Sequence, residues 1–361
     1  MINEKRLIEN FITLIKIDSP TGFESNIVKF LQAFLIENNL VDETNIDSFG
    51  NLYARKKGAG EPLFFTDHLD TVEPGRSIKP IVSNGYIQSD GTTILGADDK
   101  ASVAAILEML FVLKEQNIQH HPLECIFTIS EEIGNLGAIN FDYSLLKAKT
   151  GFCFDCSWPL GTFVTASPFY ERFDLDLIGK SAHASRPELA INVLPALVEV
   201  LNNTTLGALD NETIFNIGVV NGGSVRNTIL GIMHIEGEIR SFNERKLERY
   251  KASFMRQIKK TLNNSEVTFK IEWVRENPGF KLSTREVKRL AQKITPAINN
   301  CEITLNPTEL WSVSDTNIFM QHNLACINLG SGREFAHTTR ERINVQNLSN
   351  LAKLMIQLSQ I

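Results

Sequence analysis

The sequence predicts an α/β protein in which a mixed central sheet, covered by helices, is interrupted by a smaller insert of ferredoxin-like (βαββαβ) order. Three observations lead there. Short, continuously apolar runs such as Leu63-Phe64-Phe65 alternate with helical segments over the first 155 residues, as strands buried on both faces do. From about residue 168 the strands change character and alternate apolar with polar positions, the mark of a sheet with one wet face. After Asn277-Pro278-Gly279 the first pattern resumes. The expectation is one α/β domain over residues 1–167 and 277–361, with the insert over residues 168–276.

Taken in order, Leu7, Phe11, Leu14 and Ile15 share one helical face, and Ile27, Phe30, Leu31, Phe34 and Leu35 repeat the pattern. Thr21 and Glu24 have the spacing of a capping box before the second helix. Residues 63–66 read as a buried strand, and Ala101 to Leu113 is apolar nearly all round, as a buried helix is. Residues 123–129 and 151–154 are again strand-like.

In the insert, Phe173, Leu175 and Leu177 alternate with Arg172, Asp174 and Asp176. A helix on Ala190, Leu194, Leu197, Val198 and Leu201 follows, then two strands, one on Phe215, Ile217 and Val219 and one on Met233, Ile235 and Ile239. A second helix carries Leu247, Tyr250, Phe254 and Ile258, and a last strand runs from Val267 to Trp273. That order predicts a four-stranded sheet with two helices on one face. Ala325 to Leu329 is then a buried strand, and Leu348, Leu351, Leu354, Met355 and Leu358 line a closing helix.

Composition narrows the function classes. With 43% hydrophobic and 22% charged residues, the 361-residue chain is globular. A net charge of −6 argues against a general polyanion binder, so no nucleic-acid partner is expected. The apolar runs stop short of 18 residues, and Met1-Ile2-Asn3-Glu4-Lys5-Arg6 does not resemble a signal peptide. Five cysteines are too few and too uneven for a disulfide framework. A cytoplasmic protein with no membrane partner is expected.

Chemistry concentrates at strand ends. His68-Leu69-Asp70 follows the first apolar strand, and its two-residue offset lets Asp70 orient one imidazole nitrogen while the other binds a metal. Asp98 and Asp99 precede the buried helix, Glu131 and Glu132 close the next strand, and Asp155 ends another. Singly, each pair of acids reads as a helix start. Together with His337, they fall at the carboxyl edge of an α/β sheet, where ligands collect and where so many acids repel one another without cations. Two histidines and three carboxylates suit a pair of zinc ions or a related borderline metal. A bridging hydroxide would nearly complete the charge balance, and a carboxylate left unligated would serve as its base.

The segments His68-Leu-Asp-Thr-Val, Leu95-Gly-Ala-Asp98-Asp-Lys-Ala, Glu131-Glu132-Ile-Gly, Gly179-Lys-Ser-Ala-His183 and Ala336-His337-Thr-Thr-Arg-Glu341 resemble the dinuclear zinc peptidase family. That family holds peptidase T (tripeptidase), glutamate carboxypeptidase, acetylornithine deacetylase and succinyl-diaminopimelate desuccinylase. The likeness runs through the chain in motif order and is greatest for the peptidase T-like branch, including Ser314-Asp-Thr-Asn-Ile-Phe. It implies an exopeptidase that hydrolyses the N-terminal peptide bond of short peptides, with two divalent ions per subunit. Asp98 would bridge the ions, His68 and Asp155 would complete one site, and Glu132 and His337 the other. Asp70 would orient His68, and Glu131 would be the general base. His183 would polarise the scissile carbonyl, Asn227 and Arg240 would hold substrate, and the insert would act as a lid and pair two subunits as a homodimer. A cis peptide between Asp98 and Asp99 is implied as well.

The chain departs from the family pattern at Ser312-Val313, preceded by Trp311, where a glycine pair usually lets backbone approach the substrate. Alternatives on the same residues are an amidohydrolase of N-acyl amino acids, a carboxypeptidase, and a metal-free binding homologue. A thiol redox protein would need Cys153 and Cys156 exposed and reactive. His120, His121, His234 and His322 lie outside the constellation.

Overall fold

In a computed structural model describing residues Met1–Ile361, the apolar runs form one six-stranded mixed sheet. Its order is Glu43–Ile46, Leu52–Lys56, Leu123–Thr128, Leu63–His68, Thr150–Cys153, Ala325–Asn328. The last four strands are parallel, and the first two add an antiparallel hairpin at one edge. The register sets His68 beside Thr128, Thr66 beside Cys153 and Cys153 beside Asn328. The turns leaving those strands therefore start from one sheet edge. This edge is where an open parallel sheet leaves backbone and side chains free for a ligand.

Both faces are covered, which is why these strands are apolar throughout. Phe65 joins a core that includes the helices Glu4–Ile15, Ala97–Glu115 and Val345–Leu358. Phe64, pointing the other way, packs with Phe319 of the helix Asp315–Gln321 and with Phe141. Burying such a side chain contributes about 1.5–3 kcal/mol. The helix Ala97–Glu115 is buried nearly all round, as its sequence predicts. Its one fully buried acid past the first turn, Glu108, is held by Arg6 Nε at 2.7 Å and by the Asn3 amide at 2.8 Å. The Asp98–Asp99 peptide is cis, and both residues have non-helical backbone angles.

The capping box expected from Thr21 and Glu24 does not form. The helix Ser25–Glu37 starts without a side-chain cap. Thr21 Oγ1 donates to Asp70 Oδ2 at 2.8 Å, and Glu24 Oε1 accepts the Ser130 amide at 3.0 Å. Gly22 at φ 86° and its amide, 2.9 Å from Glu24 Oε1, turn the chain so that both side chains serve the sheet edge instead.

The chain divides into two compact units: Met1–Thr165, Leu282–Leu310 and Ser314–Ile361 form one, and Ala166–Lys281 with Trp311–Val313 form the other. The second has an antiparallel sheet ordered Gly207–Asp210, Thr213–Asn221, Ile232–Ser241, Phe169–Ile178, Thr268–Asn277. Its four long strands have the ferredoxin-like order. Phe173, Leu175, Phe215, Ile235 and Ile239 bury one face with Leu197 and Val200 of the helix Leu194–Asn202 and Leu247, Phe254 and Ile258 of the helix Glu244–Leu262.

Sequence pattern missed the short edge strand Gly207–Asp210, which pairing with its neighbour sustains rather than its own composition. The first helix also starts later than its apolar pattern. Ala190 is extended, and Pro195 sits in the first turn, where its missing N–H costs nothing. Trp311, assigned by pattern to the flanking domain, packs at a tilt against Phe242 with ring centroids 4.4 Å apart, and the Ser312 carbonyl accepts a bond from Ser167 Oγ at 2.7 Å. No helix is long and apolar enough to cross a membrane.

Candidate metal centre

His68 is the last residue of its strand and is buried. Its Nδ1 faces Asp70, though the backbone carbonyl at 3.0 Å is nearer than carboxylate Oδ1 at 3.4 Å. Asp70 does more than orient this ring. Its Oδ1 accepts the Glu131 amide at 2.9 Å, and its Oδ2 the Glu132 amide at 3.2 Å. One buried carboxylate thus fixes the histidine and the turn that presents both glutamates.

On its other side, His68 Nε2 lies 3.2 Å from Asp98 Oδ1. Asp98 Oδ2 lies 3.3 Å from His337 Nε2, which is 3.0 Å from Glu132 Oε1. Three donor clusters result, each with its ligand atoms within 4.8 Å of one another: His68–Asp98–Asp155, Asp98–Glu132–His337, and His68–Glu131–Glu132. The first two share Asp98, one cluster on each carboxylate oxygen. Their spacing fits zinc-sized ions. Ligand atoms at about 2.0–2.1 Å on a tetrahedron stand about 3.3 Å apart. Glu132 Oε1 is buried and has no hydrogen-bond donor aimed at it, despite the nearby imidazole. Atoms that converge on a common point, rather than on each other, look like this.

Electrostatics agree with a site built for cations. Burial raises the pKa of the Glu131 carboxyl well above the ordinary value, and the charge of Asp155 adds to it. Burial raises Glu132 as well, against the pull of His337. Asp98 goes the other way: burial is outweighed by the Arg333 charge and by bonds from His337 and His68, which hold its carboxyl well below the usual range. The nearby carboxylates of Asp98 and Glu132 push the His337 imidazole up to about 10. Without added cations, the cluster borrows positive charge wherever it can.

Residues 64–360 match peptidase family M20/M25/M40. The chain belongs to that family. It is 35% identical to the uncharacterized protein YqjE of Bacillus subtilis, over 99% of this chain and 98% of YqjE. Among solved structures, it is similar to aminopeptidase PepT of Bacillus cereus, at 33% identity and a TM-score of 0.90 over 99% of this chain and 98% of that one. A tripeptidase of Staphylococcus aureus is also 33% identical, with a TM-score of 0.94 over 100% and 98%. The likeness puts the chain on the peptidase T-like branch of a metallopeptidase family.

Within this peptidase, several site residues escaped sequence reading. Glu341 carries the helix-start function that Asp98 and Asp99 do not. It accepts the amides of Leu95, Gly96 and Asp98, each at 2.8 Å, and burial pushes its carboxyl up to about 7. Asn135 bridges Glu131 Oε1 at 2.7 Å and Asp315 Oδ1 at 3.0 Å, and burial lifts Asp315 to about 6. Arg333, in the short strand Arg333–Glu334 four residues before His337, is buried against Asp98, Asp99 and Asp155. Only its closeness in sequence to His337 hinted at it.

In the second unit, the pairing of Ala182–His183 with Thr228–Ile229 brings His183 Nε2 within 3.4 Å of Asn227 Nδ2, and Ser185 Oγ lies 2.8 Å from Nδ1. Both residues are exposed. Arg240 is engaged elsewhere in that unit: by Glu238, by the Trp311 carbonyl at 3.2 Å and by the Tyr170 ring at 4.3 Å. Of the other histidines, His322 stacks on Tyr143 and His234 pairs with Asp176. Cys153 and Cys156 are buried, and burial pushes the Cys156 thiol up to about 11, which removes the redox reading.

Proposed function

We propose that the protein is a two-metal aminopeptidase that removes the N-terminal residue from short, unblocked peptides. The observation that carries this is the shared Asp98, with His68 and Asp155 on one side and Glu132 and His337 on the other. Those five residues would hold two divalent ions, zinc by the chemistry of the donors. When bound, the ions supply Lewis-acid polarisation of a carbonyl and a more acidic water.

The remaining steps belong to the chain. Asp70 holds His68 and the Glu131–Glu132 turn in place. Glu131 takes the proton of the attacking water and returns it to the leaving amine. Its buried, upshifted carboxyl suits both halves of that transfer. Resemblance assigns His183 to the oxygen of the scissile carbonyl, supported by its exposure and by Nε2 being free of a strong partner. Asn227, beside it, would contact substrate, and Arg240 would do so by giving up part of its present bonding. A cytoplasmic location is supported by five unpaired cysteines. Pairing of two subunits through the insert is implied by the resemblance alone.

The deciding experiment incubates zinc- or manganese-loaded protein with free tripeptides, N-acetylated amino acids and N-blocked peptides. Cleavage confined to unblocked peptides, one residue at a time from the N-terminus, supports the reading. Cleavage of the acylated compounds selects an amidohydrolase instead.

A further inference from the structure

The two halves of the cluster are unlike in one respect. Arg333 Nη2 stands 2.8 Å from Asp98 Oδ1 and 2.7 Å from Asp155 Oδ1, the oxygens that would serve the His68 site. The guanidinium is fixed there: Nε bonds Ser157 Oγ at 3.1 Å, and Nη1 bonds Asp99 Oδ1 at 2.8 Å and Ser331 Oγ at 3.2 Å. It is 2% exposed and, as a guanidinium, does not give up its proton. On the other half, Asp98 Oδ2, Glu132 and His337 face one another, and His337 is half exposed. No guanidinium pairs with Asp98 Oδ2 or Glu132 there. An ion entering the His68 site meets a permanent positive charge on two of its three ligands.

We propose that Arg333 is a resident counter-ion of the His68–Asp98–Asp155 site, so that the chain fills the Asp98–Glu132–His337 site first and the His68 site second and more weakly. This rests on the two-metal reading above. The device would make the dinuclear state depend on metal supply, with Arg333 holding the carboxylates in place while one ion is absent.

The test titrates chelator-stripped full-length protein with cobalt(II), followed by absorption, and with zinc, followed by calorimetry, so that no step depends on turnover. Wild type should bind two ions in two steps. The supporting partners of metal ligands shift affinity about 10–100-fold, which sets the expected gap. Arg333→Gln should tighten the weaker step by that factor and close the gap, whereas Arg333→Lys, keeping the charge, should preserve it. Asp155→Asn should abolish the weaker step and leave the tighter one. That variant, with the wild-type titration, decides the matter if Arg333→Gln does not fold. Two ions of equal affinity in wild type, a looser second step in Arg333→Gln, or loss of the tighter step in Asp155→Asn would each overturn the counter-ion role while leaving the two-metal reading intact. Fewer than two ions bound at saturation in both wild type and Arg333→Gln would overturn the two-metal reading itself.

Discussion

Glu131 and Glu132 are chemically identical neighbours, and both lie within ligand distance of His68, so replacing each by glutamine separates base from ligand. Glu131 Oε1 accepts a bond from Asn135 Nδ2 at 2.7 Å. Glutamine keeps that acceptor, so Glu131→Gln should hold the same rotamer and leave both metal clusters intact. What it loses is the capacity to take a proton, typically worth about 10²–10⁴-fold in rate. At 1.36 kcal/mol per decade, the barrier should rise by about 3–5 kcal/mol. Glu132→Gln should act differently. It removes a negative ligand from the cluster with Asp98 and His337 and puts an amide on an oxygen that has no donor of its own. The loss in affinity for one ion should be at least the roughly 10–100-fold that losing a mere supporting partner costs. Metal content after gel filtration and kcat on a free tripeptide, measured on both variants, give the answer. If Glu131→Gln loses an ion while Glu132→Gln keeps two, the roles are reversed. Two unaffected variants would reduce the pair to turn residues.

Three further outcomes are expected. His183→Ala should lower kcat about 10²–10³-fold, the scale of a lost oxyanion donor, with two ions still bound; unchanged turnover would remove it from the mechanism. In the insert, Glu171 is buried, and although burial opposes its charge, Lys251 at 2.6 Å and Arg275 at 2.7 Å hold its carboxyl below the ordinary 4.5. A depressed acid stabilises the fold fully above its unfolded pKa. That part of the stability should therefore be lost as pH falls below 4.5, and Glu171→Gln should lower stability at neutral pH by about 2 kcal/mol and flatten the acid limb in circular dichroism. Gly151→Ala would place a Cβ 2.2 Å from the Phe64 ring, so overpacking should cost about 1–3 kcal/mol; an unchanged Tm would mean that the sheet yields there.

The sequence by itself determined the architecture and pointed to the residues proposed as metal ligands. Runs such as Leu63–Phe65, short and followed by polar turns, read as strands covered on both sides, and alternation in 172–177 reads as a sheet with one wet face. These periodicities are local, so they survive without coordinates. The proposed ligands were legible for a related reason: His68 ends a strand, Asp155 lies two positions beyond one, Glu132 stands in the turn after another and Asp98 starts a helix, all places where a parallel sheet opens. Glu131 and Glu132, by contrast, have the same chemistry in sequence, and only the coordinates show that Asn135 bonds the first while His337 faces the second.

What only the tertiary structure decided is how each charge is satisfied. Thr21 and Glu24 had the spacing of a cap, yet they bond Asp70 and Ser130, and the cap of Asp98's own helix comes from Glu341, 243 residues away along the chain. Arg333 carries no motif, yet it is the cation that Asp98 and Asp155 share. A buried carboxylate needs a partner, but any donor the fold brings near will serve, wherever it stands in the chain. Periodicity reports which face of an element is buried; it holds no information about which distant side chain arrives to meet a buried charge.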